Sequence, residues 1–250
     1  MEMFNLKGKT ALVTGGTQGL GRGMAKGLAK AGADLILVAR RPNEETVKEM
    51  QALGVKCSFI SFDLSETERI DELVKSVFAI APQIDILVNN AGINIRKPAA
   101  EYEKDAWDKI LRINLDATFL LCQAFGNPMI ERKYGKIINV GSLLSYQGGI
   151  TVPAYAASKG GVAQLSKALS NEWAKFGVNV NYLVPGYFDT DLNIPLMNDE
   201  TRSRQILERI PAGRWGREED VEGVAVFMAS RASDYMNGAP MAIDGGWLGR

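Results

Sequence analysis

Tyr155, Lys159 and Ser142 are the residues of this chain whose types and spacing could move a proton. The chain has no histidine, so the commonest proton-transfer side chain is absent and another group must serve. Tyr155 and Lys159 stand four residues apart, and residues at that spacing share one face of a helix. A lysine ammonium beneath a phenol favours phenolate and lowers the phenol pKa from its ordinary value of about 10. Ser142, thirteen residues earlier, would hold the reacting oxygen against the phenol.

A lone Tyr-x-x-x-Lys match is common by chance and more often marks a solvated helix face, so the rest of the chain decides its meaning. The 250 residues are 46% hydrophobic, which is enough for one large domain or two small ones. The 29 basic residues balance the 29 acidic ones. That balance argues against a strongly basic nucleic-acid surface, although a local patch remains open.

Targeting signals are not evident in the sequence. The first residues lack the apolar run and the small-residue cleavage site of a signal peptide, and no run of about 18 apolar residues indicates a membrane span. Cys57 and Cys122 lie in apolar surroundings, which predicts buried free thiols rather than a disulfide or metal ligands. We therefore expect a cytoplasmic protein without a metal site.

Short β-rich runs alternate with helical patterns from end to end. The runs are Thr10–Thr14, Asp34–Ala39, Lys56–Ser61, Ile84–Val88, Lys136–Val140, Val178–Val184 and Pro240–Ile243. The helical patterns are Gly19–Ala31, Asn43–Leu53, Glu66–Ala79, Lys104–Phe125, Pro153–Phe176 and Glu218–Ala229. Runs that are apolar on both faces are typical of a covered parallel sheet. The alternation predicts an α/β fold: one domain over residues 1–250, with a doubly wound parallel sheet of about seven strands and helices on both faces.

The segment 188–211 interrupts this alternation with prolines. A long segment that follows a strand at the carboxyl edge of such a sheet indicates a substrate lid.

A glycine-rich loop lies between the first strand and the first helix. It reads Gly15-Gly-Thr-Gln-Gly19-Leu-Gly21. Glycines let the backbone approach a pyrophosphate, and the helix N-terminus supplies N–H donors and positive potential. Such a loop alone is often only a turn, but its place between strand and helix favours a dinucleotide site. The candidate residues are Gly15, Thr17, Gln18, Gly19, Leu20 and Gly21.

The end of the second strand bears on the choice of dinucleotide. An NAD site places an acid there for the ribose hydroxyls, whereas this chain has Ala39 followed by Arg40 and Arg41. Guanidinium groups bind phosphate bidentately, so the sequence favours NADP, with Arg40 on the 2′-phosphate. The alternative is a solvated turn, in which case NAD remains possible.

Further cofactor residues are expected at other strand ends. Asp63, with Leu64 beside it, could accept a hydrogen bond from the adenine amine, and Asn90, Ala91 and Gly92 could wall the adenine ribose. After the sixth strand, the nicotinamide amide could meet Pro185, Gly186, Phe188 and Thr190.

Together these segments resemble the short-chain dehydrogenase/reductase family. The matches are Thr14-Gly-x-x-x-Gly-x-Gly21, Asn89-Asn-Ala-Gly92, Asn114, Ser142, Tyr155-x-x-x-Lys159 and Pro185-Gly186. They occur in order and at family spacing across essentially the whole chain. The resemblance implies a homotetramer with a seven-stranded Rossmann-like sheet and hydride transfer between a nicotinamide and an alcohol or ketone.

The resemblance also implies roles for four residues. Tyr155 would be the general acid/base and Ser142 would orient the substrate oxygen. Lys159 would lower the Tyr155 pKa and bind the nicotinamide ribose, and Asn114 would hold a water that relays protons from Lys159. Asparagine is a poor residue in mid-helix unless it bonds locally or serves a function, which agrees with a special role for Asn114.

Within the family, several segments resemble dehydrogenases of sugar acids. They are Ser142–Tyr155, Asn171–Lys175, Arg209–Gly216, Ala232–Tyr235 and Asp244–Arg250. That subgroup is generally linked with NAD, whereas Ala39-Arg40-Arg41 is typical of an NADP site and Gln18 is neutral where many NADP-using members carry a base. The sequence therefore points to a sugar-acid substrate, with NADP as the favoured cofactor and NAD as the alternative.

A sugar-acid substrate needs a cation for its carboxylate and polar partners for its hydroxyls. Arg96 is the candidate for the carboxylate, and Asn94 and Gln147 could each meet a hydroxyl, although all three could instead be ordinary surface residues. Trp215 and Trp247 could form apolar walls, but subunit packing is the expected use of both.

Two other functions remain open. A reductase of keto acids, such as a gluconate 5-dehydrogenase, or of cyclic ketones would keep the fold and change the substrate, and a neutral ketone would gain nothing from Arg96. A nucleotide-sensing regulator without turnover is disfavoured by the intact set of Asn114, Ser142, Tyr155 and Lys159.

Overall fold

The computed structural model describes residues 2–250, and a single parallel sheet of seven strands is its centre. The strands are β1 Thr10–Thr14, β2 Asp34–Ala39, β3 Cys57–Ser61, β4 Ile86–Asn89, β5 Gly135–Val140, β6 Val178–Pro185 and β7 Pro240–Ile243. Their order in the sheet is β3-β2-β1-β4-β5-β6-β7, and every pair is parallel. The predicted doubly wound sheet is confirmed. Its order reverses between β1 and β4, and ligands bind at the carboxyl ends of strands beside such a reversal.

Nine α-helices connect these strands within residues 2–250. They are α1 Gly19–Lys30, α2 Glu44–Ala52, α3 Ile70–Ile80, α4 Lys104–Leu111, α5 Ala117–Glu131, α6 Pro153–Trp173, α7 Ile194–Met197, α8 Glu200–Arg209 and α9 Glu222–Ala229. One apolar cluster packs α1 and α9 on one face of the sheet, and a second packs α3, α5 and α6 on the other. Helices on both faces are therefore confirmed. None of the helices described is long and apolar enough to cross a membrane.

The predicted helix Lys104–Phe125 is interrupted in the structure. A π-helical turn over Arg112–Asp116 separates α4 from α5. Wider turns of this kind recur at functional sites because they add a residue and re-aim the side chains. The sequence pattern missed the turn because the apolar face continues through it: Ile110, Ile113 and Ala117 are all buried.

The segment 188–211 contains the short helix α7 and the helix α8. Leu196, Ile206 and Ile210 from this segment join a third apolar cluster with Leu143 and Trp247. The segment is thus packed against the loop after β5 and against the end of the chain. Its function as a lid remains a prediction.

Both cysteines are buried free thiols, as the sequence predicts. Burial raises the pKa of Cys57 to about 11 and that of Cys122 to about 12. Neither thiol therefore has thiolate character at neutral pH.

Candidate active site

Tyr155 and Lys159 lie in the first turns of α6. Pro153 is in the first turn, where its fixed φ suits the helix start and its missing N–H costs nothing. The Lys159 side chain is 4% exposed, and its Nζ donates to the Val140 carbonyl oxygen at 2.6 Å. Nζ lies 5.7 Å from the centroid of the Tyr155 ring. The helix thus brings the two groups together on one face, at the carboxyl end of β5.

The protonation of this pair differs from the expectation in one respect. Burial raises the Tyr155 pKa, and the nearby Ser142 hydroxyl and Arg96 guanidinium lower it in part. Burial also lowers the pKa of Lys159 to about 8. Burial, and not the charge of Lys159, is therefore the main influence on the Tyr155 pKa in this structure. The low polarity of the site acts on both groups and disfavours the charged form of each.

A buried Lys159 gives a prediction about stability. Its ordinary pKa of about 10.5 falls to about 8 on folding. Below about pH 8 the amine is charged in both states, so the cost of burying the charge is fully present. Between about pH 8 and 10.5 the folded amine loses its proton first, and its contribution to the free energy of unfolding rises with pH. Lys159→Met avoids that cost, so its stability relative to wild type should fall steadily across this window.

Urea unfolding at several pH values measures that difference. Lys175→Met, at an exposed position, controls for the loss of a surface lysine. A stability difference between Lys159→Met and wild type that stays constant up to about pH 10.5 would contradict a charged amine buried at this site.

Ser142 follows β5, and hydrogen bonds hold both its hydroxyl and its backbone amide. Its Oγ accepts from the Leu144 amide at 3.1 Å, while its own amide donates to Ser145 Oγ at 3.2 Å. Ser145 Oγ in turn donates to the Lys159 carbonyl oxygen at 2.7 Å. These contacts join the Ser142 turn to α6 and fix the Ser142 hydroxyl beside Tyr155.

Asn114 lies in the π-helical turn and is 1% exposed. Its Oδ1 accepts from the Ile93 amide at 2.9 Å, and its Nδ2 donates to the Ile93 carbonyl oxygen at 3.0 Å and to Ser158 Oγ at 3.1 Å. The side chain therefore joins the loop after β4 to α6. Its side-chain oxygen and nitrogen are both occupied by these partners. A part for Asn114 in a proton relay stays a prediction.

The glycine-rich loop connects β1 to α1 at the same edge of the sheet. Gly15 has a φ of +63°, and a Cβ there would lie 2.8 Å from Asn90 Nδ2. Asn90 Nδ2 donates to the Thr14 and Gly15 carbonyl oxygens at 3.1 and 3.2 Å, which fixes the loop. Gln18, the N-cap of α1, makes no capping bond with its side chain. The first amides of α1 thus remain free of a side-chain cap, as a pyrophosphate site requires.

The opposite side of the loop is held by α2 and by the segment after β6. The Thr17 carbonyl oxygen accepts from Thr46 Oγ1 at 3.1 Å. Gln18 Nε2 donates to Asp191 Oδ2 at 3.2 Å, and a Cβ on Gly19 would lie 3.3 Å from Thr190 Cγ2. The predicted phosphate-binding and nicotinamide-binding segments are therefore neighbours. Leu20 and Gly21 continue the same turn into α1.

Arg40 and Arg41 are exposed at the end of β2. The Ser61 hydroxyl donates to the Arg40 carbonyl oxygen at 3.0 Å, which ties the ends of β2 and β3 together. Burial acts to raise the Asp63 pKa, but hydrogen bonds from Ser65 and the nearby charge of Arg40 lower it overall. Leu64 is buried. The two arginines thus stand beside the loop after β3, as an adenosine site requires.

The remaining cofactor candidates differ in what they can offer. Gly92 is exposed, and Ala91 is partly buried beside it. Pro185 and Gly186 stand where β6 ends, but Phe188 is 3% exposed and packs in the core, so only its backbone could face a cofactor. The sequence missed this because an aromatic residue in a loop gives no sign of its burial.

The substrate candidates lie on loops around Tyr155. Arg96 is exposed, and the groups that act on its pKa besides burial are Tyr187, Tyr155 and Arg202, with no carboxylate among them. Asn94 has its Oδ1 buried without a hydrogen-bond partner in the described part of the chain.

Two neighbours of this region were missed by sequence reasoning. Arg202 lies on α8, and Tyr187 follows β6 and packs against Trp215 and Trp247 with centroid distances of 5.6 and 4.8 Å. Only the position of Arg202 in the predicted lid could have drawn attention to it. Trp247 is 6% exposed and packs within this chain, and the expected use of both tryptophans in subunit packing stays a prediction.

Comparisons with known proteins agree with this geometry. The family model for short chain dehydrogenase matches residues 9–201. A curated relative, the 2-dehydro-3-deoxy-D-gluconate 5-dehydrogenase of Pseudoalteromonas atlantica, is 51% identical over the full length of both chains.

Solved structures extend the comparison. A candidate 2-deoxy-D-gluconate 3-dehydrogenase of Agrobacterium tumefaciens, crystallised with bound NADP, is 46% identical with a TM-score of 0.93 and full coverage of both chains. A gluconate 5-dehydrogenase of Burkholderia cenocepacia, in complex with NADP and tartrate, is 40% identical with a TM-score of 0.93 and covers 99% of this chain and 98% of that one.

Proposed function

The chain belongs to the short chain dehydrogenase family, and we propose that it transfers a hydride between NADP(H) and a secondary alcohol or ketone of a sugar acid. The substrate would be of the 2-dehydro-3-deoxy-D-gluconate or 2-deoxy-D-gluconate type. The observation that carries this assignment is Arg96, a cation beside Tyr155 and Tyr187 with no carboxylate among the groups that influence it. Arg202 adds a second guanidinium to the same region.

A carboxylate substrate would relieve an unfavourable arrangement of charge. Two guanidinium groups close together repel each other, and Arg202 lowers the Arg96 pKa accordingly. Arg202 donates to Gln205 Oε1 at 2.9 Å, a neutral partner that does not compensate its charge. An anion bound between the two arginines would be stabilised by both, which favours an acid over a neutral ketone.

The proton chemistry falls to the residues around Tyr155. A bound nicotinamide would supply or accept the hydride. The Tyr155 phenol would give a proton to the substrate oxygen in reduction and take it in oxidation, and Ser142 would donate a hydrogen bond to that oxygen. Lys159 would hold the cofactor ribose and supply positive charge beside the phenol. Asn114 would hold the loop at Ile93 against α6 beside these residues.

The cofactor site fits a dinucleotide with a 2′-phosphate. The backbone turn at Gly15 and the uncapped start of α1 support pyrophosphate binding. Arg40 and Arg41 at the end of β2 support NADP, as does the NADP bound in the two similar structures. NAD remains the alternative if the two arginines point to solvent.

Arg40→Asp should shift the cofactor preference from NADP toward NAD. The change removes a phosphate partner and introduces a group that repels phosphate and accepts from ribose hydroxyls. Charge-assisted hydrogen bonds contribute about 1.5–3 kcal/mol, so the ratio of kcat/KM for NADP over NAD should fall by about tenfold to a hundredfold. Arg231→Asp, at an exposed position near the amino end of β5, is the control. An unchanged ratio would mean that Arg40 does not contact the 2′-phosphate.

A reductase of keto acids or cyclic ketones is the second candidate. The similarity to a gluconate 5-dehydrogenase, at 40% identity, supports the keto-acid version of it. The two candidates are separated by a panel of sugar acids and neutral ketones, each assayed with NADP(H) and NAD(H) by absorbance of the reduced nicotinamide. The proposal requires that deoxy-ketogluconates give the highest kcat/KM. Preference for neutral ketones would overturn it.

We also propose that the protein is a cytoplasmic homotetramer. The edge strand β7 leaves the side chains of Pro240 and Ala242 exposed, and Phe119 on α5 is 41% exposed. Unpaired strand edges and exposed apolar groups are surfaces that a partner subunit could cover. Light scattering of the purified protein measures the assembly.

A further inference from the structure

Gln147 and Trp247 form a hydrogen bond across 100 residues of sequence. Trp247 Nε1 donates to Gln147 Oε1 at 3.0 Å. Gln147 lies five residues after Ser142, on the loop that leads from β5 to α6, whereas Trp247 lies three residues before the end of the chain. The bond therefore connects the chain terminus to the loop beside the catalytic serine.

The chemistry of this bond fixes the orientation of the Gln147 amide. An indole N–H can only donate, so the amide must present its oxygen to Trp247. The amide nitrogen then points away from Trp247. It makes no hydrogen bond in residues 2–250 and is not among their buried unpartnered atoms, so it reaches accessible space. Gln147 thus offers an N–H donor, and not an acceptor, to whatever lies beside Ser142.

Trp247 is held firmly enough to set this orientation. Its side chain is 6% exposed, and Tyr187 packs on it at a centroid distance of 4.8 Å. The Arg209 guanidinium lies 4.1 Å from the centroid of the indole ring. Arg250 Nη1 donates to the Glu208 carbonyl oxygen at 2.7 Å, which fastens the chain end to α8 on the other side. The indole is therefore fixed by α8 and by the segment after β6.

We propose that Trp247 is a positioning residue for substrate recognition, because it orients Gln147 so that the Gln147 amide nitrogen donates to an oxygen of the substrate. The oxygen would belong to a hydroxyl or carboxylate of the sugar acid. A freely rotating amide could present either end and would lose part of this selectivity. The inference rests on the proposed function for the substrate class, and on the structure alone for the coupling between the two residues.

A purely structural role for Trp247 makes a different prediction. In that case the loss of the indole would loosen the packing near α8 whatever residue occupies position 147. A role through Gln147 requires that the effect of changing Trp247 disappear once the Gln147 amide is gone. The two readings are therefore separated by a double-mutant cycle and not by either single change.

The cycle uses Trp247→Phe, Gln147→Ala and the double variant. Phenylalanine keeps an aromatic ring in the packing and removes the indole N–H, and the double variant separates the hydrogen bond from the loss of ring volume. Trp247→Phe should raise KM for the best substrate of the wild type by about twofold to tenfold, the range for one neutral hydrogen bond, with kcat and the cofactor KM unchanged. Gln147→Ala should raise KM at least as much, and the double variant should equal Gln147→Ala. Thermal unfolding of all three checks that they remain folded.

Gln147→Glu tests whether residue 147 acts as a hydrogen-bond donor to the substrate. Its carboxylate can still accept from Trp247, but it presents an acceptor with negative charge to the substrate. It should therefore impair acid substrates more than Gln147→Ala does. Independent effects of the two single changes, or an unchanged KM in Trp247→Phe, would overturn the proposal. If the wild type prefers neutral ketones, the proposed function fails, yet the same cycle measured on the ketone still decides the coupling.

Discussion

Tyr155→Phe is expected to lower kcat by at least about 10²-fold while nucleotide affinity stays unchanged. The change removes only the phenol hydroxyl, which lies within hydrogen-bonding reach of the Ser142 side chain and is the proposed proton-transfer group. General acid–base catalysis contributes about 10²–10⁴-fold, so the lower bound is the modest expectation. Steady-state kinetics with the best substrate measures the loss, and fluorescence titration with the reduced cofactor measures nucleotide binding.

Tyr235→Phe is the matched control for this variant. Tyr235 is fully exposed, so loss of its hydroxyl should leave both kcat and stability unchanged. Near-normal turnover of purified Tyr155→Phe would contradict the mechanism outright. A large loss that is accompanied by weak nucleotide binding would point instead to damage of the cofactor site, because Lys159 and the phenol share one face of α6.

The pH dependence of turnover follows from the same surroundings. Burial raises the Tyr155 pKa and lowers that of Lys159 to about 8, so a cation beside the phenol persists mainly below about pH 8. The phenol must be protonated to reduce a ketone and deprotonated to oxidise an alcohol. The low polarity of the site keeps the phenol protonated and so favours donation of a proton to a ketone. Acceptance of a proton from an alcohol requires the phenolate, which a nearby positive charge stabilises.

Local sequence patterns determine much of this fold. The bounds of β1, β2 and β7 agree with the predicted runs because β-branched and apolar residues end at glycine, arginine or aspartate on the surface. The proximity of two of the proposed catalytic residues was predictable for another reason. Tyr155 and Lys159 lie close together because they are four residues apart on one helix, and that spacing can be read from the local sequence.

Other features depend on contacts between distant segments. The π-helical turn at Asn114 exists together with the bonds from its side chain to Ile93 and Ser158, which lie 21 and 44 residues away. Trp247 and Gln147 meet only after the sheet has formed. Phe188 reads as a loop residue, and its burial follows from the packing of its ring on Gly216. No period or spacing in one sequence encodes such pairs.

Arg96→Ala should separate acid substrates from neutral ones. Removing one partner of a desolvated charge pair costs about 2–4 kcal/mol, so kcat/KM for a sugar acid should fall by ~30-fold to ~1,000-fold. A neutral ketone of similar size should lose little, since it makes no ion pair with the guanidinium. The difference between the two losses is the measurement, because a folding defect would lower both.

Lys97→Ala is the control for this variant, because it removes the adjacent cation. Lys97 pairs with Glu103 on the surface, so its loss should affect acid and ketone alike and only slightly. Arg202→Ala should share the selectivity of Arg96→Ala if both guanidinium groups contact the carboxylate, and should behave like Lys97→Ala if Arg202 makes no contact with the substrate. Equal losses for acid and ketone in Arg96→Ala would remove this residue from the substrate site. Such a result would also contradict the proposal that a substrate carboxylate binds between Arg96 and Arg202.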